Sequence, residues 1–286
     1  MSNIQRGTRG VVLDSETHDK KDPKIIECAY GYVDEDGRII PSTIISHLFN
    51  PGGPISFGAM ATHHILPEDL IGMPHPDTFV IPEDVGYIIG HNIRFDLGAL
   101  GNPVGYKAID TLALGRKAWP EMDAHTQTAL FYMLHAHKGL SLAHARDFVR
   151  GAHSAGVDIQ ICSFIFDEII RWSSPHRERL PQIVGSDSEL PLLEAMHLLS
   201  EAASVPLVMT FGKHQGVPTH TVPADYKQWY KTKHDNPDPG VLLAMDRGGS
   251  TPEGQAVYKL TVDVFGVPGA AEAEKQQPSL FSRPSA

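Results

Sequence analysis

Three apolar segments lie close together near the start of the chain, and their spacing constrains the fold more than any other feature. They are GVVLD from Gly10, KIIECAYGYV from Lys24 and RIIPSTIISHLF from Arg38, with the sequence Asp34-Glu35-Asp36-Gly37 between the second and third. Runs rich in Val, Ile and Tyr that are bounded by turn residues predict β-strands. The first 50 residues therefore predict an antiparallel meander.

Beyond the meander, apolar periodicity alternates between strands and helices. Short strands at 86–90 and 106–109 each lead into a helical pattern, and further helical patterns cover 126–136, 141–149 and 155–172. Early strands followed by alternating strands and helices predict an α/β fold in which helices flank a mixed sheet.

A change in composition indicates a domain boundary in the chain of 286 residues: a stretch rich in Ser, Pro and charged residues follows the last of these helical patterns. A chain of this length can form one well-buried core and a smaller unit. Gly, Pro, Ala and Glu are in excess near the end, which is typical of flexible segments. We expect a main domain over 1–180, a linker helix over 181–203, a small compact unit over 204–245 and a flexible tail over 246–286.

Bulk composition excludes some classes of protein. Cys28 and Cys162 are the two cysteines, too few for a disulfide framework. No apolar run approaches the ~20 residues that span a bilayer, and the N-terminus lacks the apolar core of a signal peptide. We expect a cytoplasmic protein without a membrane partner. The net charge of -10 argues against a protein that coats nucleic acid, but not against an enzyme that gathers carboxylates around metal.

Acidic residues recur where predicted strands and helices meet. Asp14-Ser15-Glu16 ends the first strand, so two acids one residue apart face the same opening, although one such pair also arises by chance among 34 acids. In His91-Asn92-Ile93-Arg94-Phe95-Asp96 a strand runs into a helix and places Asp96 on the first helical turn. Asp158 begins a helix with an apolar stripe, and His153 lies five residues before it.

In this order, Asp-x-Glu, His-Asn-x-x-Phe-Asp and His-x-x-x-x-Asp resemble the three motifs of the DEDD 3′→5′ exonuclease superfamily, histidine subclass. The likeness is strongest to the exodeoxyribonuclease X family and more distant to the proofreading subunits of bacterial replicative polymerases. It covers residues 10–172, and 209–229 are similar to that family's small C-terminal element. The run Ser154-Ala155-Gly156-Val157 departs from the family pattern, which predicts a looser helix start and a lower rate.

The resemblance implies a ribonuclease H-like fold and a two-metal mechanism. Asp14, Glu16 and Asp158 would hold the metal that activates water, Asp14 and Asp96 would share a second, and His153 would be the general base. Carboxylate ligands suit Mg²⁺, for which Mn²⁺ can substitute. The implied substrate is DNA with a free 3′ end, cleaved to 5′-mononucleotides in repair, replication or proofreading.

Several residues are expected to contact the terminal nucleotide. By resemblance, Thr17 and Asn92 belong to its pocket, and Phe57, Met60 and His63 are further candidates. For Phe57 and Met60 a packing role is favoured over stacking on a base, since large apolar side chains are usually buried.

Two later segments suggest additional contacts. The sequence from Phe211 to Gly216, together with Tyr226, Trp229 and Tyr230, mixes aromatic and basic residues that either stack bases or only pack a small unit. Near the end, Gln277-Pro278-Ser279-Leu280-Phe281 resembles the peptide by which bacterial polymerases and repair proteins dock on the sliding clamp. Gln277, Leu280 and Phe281 are its predicted contacts.

Two other functions stay open on the sequence. An exoribonuclease or short-oligonucleotide hydrolase uses the same metal chemistry and differs in how its pocket treats the 2′-hydroxyl. A weakly active binding subunit of a clamp or polymerase would keep the fold, and the unusual residues after His153 are compatible with it.

Overall fold

A mixed five-stranded sheet forms the centre of the main unit in a computed structural model of the chain, which describes residues 7–234 and 237–266. The strands are β1 (Arg9–Thr17), β2 (Ile25–Tyr32), β3 (Ile45–Leu48), β4 (Val85–Gly90) and β5 (Lys107–Asp110). Their order is β3-β2-β1-β4-β5; β2 pairs antiparallel with β1 and β3, whereas β4 pairs parallel with β1 and β5. The predicted α/β fold, in which helices flank a mixed sheet, is confirmed.

The helices follow the strands in the predicted alternation. They are α1 (Phe57–His63), α2 (Ile93–Ala99), α3 (Thr111–Ala118), α4 (Gln127–His137), α5 (Leu142–Val149), α6 (Ala155–Trp172), α7 (Ser174–Val184), α8 (Leu192–Ala203), α9 (Ala224–Lys233), α10 (Pro239–Met245) and α11 (Pro252–Phe265). Side-chain caps fix several starts: the Ser56 hydroxyl accepts from Ala59 N, and the Thr126 hydroxyl accepts from Ala129 N. Such caps satisfy amides that a helix cannot pair internally.

Two segments differ from the sequence interpretation. The third strand is shorter than predicted, because Pro41–Thr43 forms a 3₁₀ turn and β3 starts only at Ile45. Proline has no amide hydrogen to donate to a ladder, which explains the late start. The tail expected from residue 246 was drawn too early, because Pro252–Phe265 forms α11 with buried Thr261 and Val264.

Each face of the sheet is covered by its own apolar layer. On one face, Val11 and Leu13 of β1 pack with Ile88 of β4 and Ile93 of α2. On the other face, α6 packs against β1 and β2 and buries its apolar stripe. The ends of β1 and β4 and the start of α6 therefore meet at one edge of the core.

The chain divides into two compact units. Of the described residues, one unit contains 7–181 together with Ser186–Ser200, and the other contains Gln182–Gly185, 201–234 and 237–266. The second unit has its own apolar core, formed by Met209, Val222, Tyr226, Tyr230, Val241 and Met245.

No helix in the described ranges is both long enough and apolar enough to cross a bilayer. The predicted clamp-binding residues Gln277, Leu280 and Phe281 lie outside the described residues, so that contact stays a prediction.

Candidate active site

Strand β1 presents two acids on one face of the sheet. Side chains alternate along a strand, so Asp14 and Glu16 point the same way and Ser15 points to the opposite face. The antiparallel register places Glu27 of β2 directly opposite Glu16. A third carboxylate, which the sequence motifs do not include, thus shares the face of the other two.

Asp96 reaches β1 from the neighbouring helix α2. Its Oδ1 accepts hydrogen bonds from the backbone N–H of Ser15 at 3.0 Å and from the Ser15 hydroxyl at 2.7 Å. These bonds fix the Asp96 side chain, which is buried, at the end of β1. Ser15, between the two acids of the first motif, therefore orients the acid of the second.

A sharp turn between β4 and α2 makes this approach possible. Asn92 adopts a left-handed conformation with φ 65°, which asparagine tolerates better than most residues, and its N–H donates to Asp110 Oδ1 at 2.9 Å. At Gly90 an added Cβ would lie 2.9 Å from the Leu13 carbonyl oxygen and 2.5 Å from Ile93 Cδ1. Glycine is thus required where β4 and α2 come closest to β1.

The third motif joins the cluster from the start of α6. Asp158 is buried on the first turn, and its Oδ2 accepts the backbone N–H of His153 at 2.9 Å. His153 itself is exposed and has φ 66°. Ligand atoms of Glu16, His153 and Asp158 all lie within 4.8 Å of one another. The loop therefore holds an accessible imidazole beside two carboxylates.

Glu27 anchors the start of α6 from the sheet. One carboxylate oxygen accepts the Ser46 hydroxyl at 2.8 Å, and the other accepts the backbone N–H of Ala155 at 3.1 Å. Ser154, the residue before the helix, makes no side-chain cap bond. Glu27 supplies that missing cap from strand β2 and holds the start of α6 in place. The departure from the family pattern had predicted a looser start for this helix.

Burial and mutual repulsion make the first motif hard to ionise. The pKa of Asp14 is raised well above its ordinary value by burial first and then by Asp96, Asp158, Glu16 and Glu27. Burial, with Asp158, Glu27 and Asp96, raises the pKa of Glu16 to about 8. Carboxylates crowded in this way need compensating positive charge to ionise together.

The other two acids are shifted less because hydrogen bonds favour their charged forms. Burial raises the pKa of Asp96 to about 7, opposed by the bonds from Ser15. Burial also raises the pKa of Asp158 to about 6, opposed by the backbone N–H and the nearby imidazole of His153. Four hard oxygen-donor side chains with unfavourable like charges fit divalent cations such as Mg²⁺.

The acids form one wall of a cleft of about 480 Å³. Its other walls come from the end of β4, from α3, from the segment between α3 and α4 and from the start of α4. They contribute His91, Leu112, Arg116, Asp123, Ala124, His125, Thr126, Gln127 and Thr128. Gln127 Oε1 is buried and has no hydrogen-bond partner among the described residues. The sequence did not predict that these residues line the cleft. The charged residue Arg116, near the end of a predicted helix, was the one feature of the sequence that could have indicated this wall.

The structure separates the four predicted substrate contacts. Asn92 lines the cleft, whereas Thr17, Met60 and His63 do not belong to its lining. Met60 packs against the small apolar cluster of Ile26, Ile55 and Leu70. Thr17 is buried and donates its hydroxyl to the Asp19 carbonyl, and His63 is buried with Nδ1 accepting from Ile65 N. Their contacts with a nucleotide stay predictions.

The favoured interpretation of Phe57 as a packing residue is wrong. Its side chain is 88% exposed on α1 and contributes to none of the core clusters of the described residues.

No protein-family model matches the chain. Exodeoxyribonuclease 10 of Escherichia coli strain K12 is 27% identical over 217 residues, a match that covers 73% of this chain and 86% of that protein. The protein of the same name from Escherichia coli O6:H1 matches equally.

Two solved structures are similar to the chain at low sequence identity. Exonuclease X in complex with 5′ overhanging duplex DNA is 24% identical, with a TM-score of 0.47, and the match covers 65% of this chain and 99% of that chain. Escherichia coli exonuclease I in complex with a dT13 oligonucleotide is 15% identical, with a TM-score of 0.47 and coverages of 62% and 43%.

Proposed function

We propose that this chain, a member of the DEDD exonuclease superfamily, is a metal-dependent exonuclease that removes nucleotides one at a time from the 3′ end of DNA. The observation that carries the proposal is the meeting of the four acids, Asp14, Glu16, Asp96 and Asp158, in one wall of an open cleft. The similarity to exodeoxyribonuclease 10 supports DNA as the polymer. The polarity and the number of metals rest on the motif pattern.

In this proposal the acids of this wall bind two Mg²⁺ ions. Asp14, Glu16 and Asp158 would hold one, and Asp14 and Asp96 would hold the other. When bound, such a pair lowers the pKa of water and stabilises charge on the attacking and leaving oxygens of a phosphodiester. Oxygen donors and the raised carboxylate pKa values both favour this role.

His153 would take the proton from the attacking water. A bond forms between the water oxygen and phosphorus, while the bond from phosphorus to the 3′ oxygen of the preceding nucleotide breaks, and the terminal 5′-mononucleotide is released. The exposed imidazole stands beside Glu16 and Asp158, and its backbone N–H binds the Asp158 carboxylate. That bond ties the base to a metal ligand, so both are positioned together.

The proposed reaction is tested by digesting end-labelled oligonucleotides with Mg²⁺. We expect a 5′-labelled DNA strand to shorten progressively and a 3′-labelled strand to release a labelled mononucleotide at once, with RNA of the same sequence cleaved more slowly. EDTA should stop both reactions. Loss of the 5′ label as a mononucleotide, or equal rates in EDTA, would refute the proposal, and faster cleavage of RNA would favour the exoribonuclease alternative.

Mg²⁺ should stabilise the protein more at about pH 8 than at about pH 6. Because the folded-state pKa values of Glu16 and Asp96 are about 8 and 7, the metal-free native state binds more protons than the unfolded chain above the ordinary carboxyl pKa. Its unfolding free energy therefore falls as pH rises through this window, and bound cations remove the loss. Unfolding temperatures with Mg²⁺ and with EDTA at both pH values measure this stabilisation. An equal rise in unfolding temperature with Mg²⁺ at the two pH values would contradict the prediction.

Replacing Glu27 by alanine should lower kcat by about tenfold, because the N–H of Ala155 loses its acceptor and the loop from His153 loosens. Hydrogen exchange at Ala155 should accelerate, and Glu27→Gln, which keeps one acceptor oxygen, should lose less activity. Glu35→Ala, at an exposed turn, is the matched control. Unchanged exchange and kcat in Glu27→Ala would show that Glu27 does not position the site.

A further inference from the structure

An aromatic-lysine surface stands out on the second unit; it is formed by Phe211, Lys213 and Trp229 around the rings of Tyr226 and Tyr230. The Phe211 ring lies 5.8 Å from that of Tyr230, and the Trp229 ring lies 5.3 Å from that of Tyr226. Lys213 Nζ lies 5.3 Å from the centre of the Tyr226 ring. The turn Gly212–His214 and helix α9 thus bring these groups onto one face.

The outer rings of this surface are not needed for the core of their unit. Tyr226 and Tyr230 belong to that core, whereas Trp229 and Phe211 do not. The side chain of Trp229 is 46% exposed and that of Phe211 is 36% exposed. Large rings usually gain stability from burial, so two neighbouring exposed rings indicate a contact surface.

The segment 204–234, which carries the rings, has a net charge opposite in sign to that of the whole protein. Residues 204–234 contain four lysines and a single acidic residue, Asp225, although the chain carries a net charge of -10. Lys227 is used structurally, since its Nζ donates to the carbonyl oxygens of His220 and Met245.

Three lysines remain exposed: Lys213, Lys231 and Lys233. Lys231 forms a 3.6 Å ion pair with exposed Asp246, and Lys213 and Lys233 form no ion pair within the described residues. A local excess of lysine in an acidic protein favours an anionic ligand.

We propose that this surface binds single-stranded DNA, with unpaired bases stacked on Trp229 and Phe211 and with Lys213 and Lys233 near the phosphates. Exposed rings beside exposed cations are the combination that binds a single strand without reading its sequence, because every base has a π-face. The choice of DNA rests on the proposed function. A second binding surface on the same chain raises the effective concentration of substrate at the cleft.

Binding of oligo-dT to the full chain in EDTA, followed by fluorescence anisotropy, tests the surface. Trp229→Ala should weaken binding of oligo-dT by about tenfold, and Trp229→Phe should keep most of the affinity because a ring remains. Both variants should bind an abasic oligomer of equal length as the native protein does. Lys213→Gln should reduce the salt slope by about 0.7. Lys259→Gln, which removes an exposed lysine of α11 in the same unit, is the control and should change neither.

Tryptophan fluorescence provides a second readout on folded protein. Oligo-dT should quench native fluorescence, and the quenching should disappear in Trp229→Phe, which keeps buried Trp119 and half-buried Trp172. Unchanged oligo-dT affinity in Trp229→Ala, or equal weakening with the abasic oligomer, would overturn the proposal. These titrations involve no turnover, so the two proposals fail independently. Trp229-dependent binding in a protein that does not hydrolyse DNA would support the surface and refute the proposed exonuclease. Hydrolysis in a protein without Trp229-dependent binding would support the exonuclease and refute the surface.

Discussion

Replacing Asp14 by asparagine should lower the rate of DNA hydrolysis by at least about 10³-fold and leave the protein folded. Asp14 is the acid assigned to both metals, and asparagine keeps its shape without its charge. The raised pKa of Asp14 means that ionising this carboxyl in the absence of metal costs free energy, because burial and neighbouring acids oppose its charge. The variant should therefore unfold at a higher temperature than the native protein in EDTA near pH 8.

Single-turnover digestion and thermal unfolding measure the two effects of Asp14→Asn. Asp187→Asn removes the same charge from an exposed position and should alter neither. Hydrolysis by Asp14→Asn within tenfold of the native rate would remove Asp14 from the site. A lower unfolding temperature would instead show that Asp14 supports the fold.

The second large effect is expected at His153, where Asn in place of His should lower kcat by about 10²- to 10⁴-fold with little change in KM. Asparagine tolerates the left-handed φ of 66°, and the backbone N–H to Asp158 is retained. Loss of activity in His153→Asn thus reports the imidazole itself. Alanine lacks a polar side chain that can stabilise a left-handed conformation, so His153→Ala makes a less clean test.

Metal titration separates the two roles that the geometry allows for His153. Its ring lies within ligand distance of Glu16 and Asp158, so it could coordinate a cation as well as accept a proton. A general base predicts that His153→Asn binds Mn²⁺ as tightly as the native protein does. Weaker Mn²⁺ binding in step with the lost activity would make His153 a ligand.

The sequence predicted those parts of the site that depend on local pattern. Alternation along β1 puts Asp14 and Glu16 on one face, and the strand-to-helix junction puts Asp96 on the first turn of α2. The order of the motifs added Asp158 and His153, which no local rule connects to β1.

Features that depend on strand register or on distant packing could not be predicted in this way. Glu27 lies in an apolar strand. Its role depends on the strand register, which places it opposite Glu16, and on its hydrogen bond to Ala155, 128 residues away in the sequence. A charged residue inside such a strand was the available signal. Arg116 and Gln127 reach the cleft from separate helices, so their shared wall is a property of the packing. Helix α11 was missed because composition near the chain end favoured a tail.

Anomalous scattering from a crystal of the protein soaked in Mn²⁺ tests the central claim most directly, because it locates the cations themselves. We predict two Mn²⁺ peaks about 4 Å apart. Asp14 should contact both, Glu16 and Asp158 one, and Asp96 the other. Absence of Mn²⁺ from these four carboxylates, in a crystal that binds the ion elsewhere, would contradict the account.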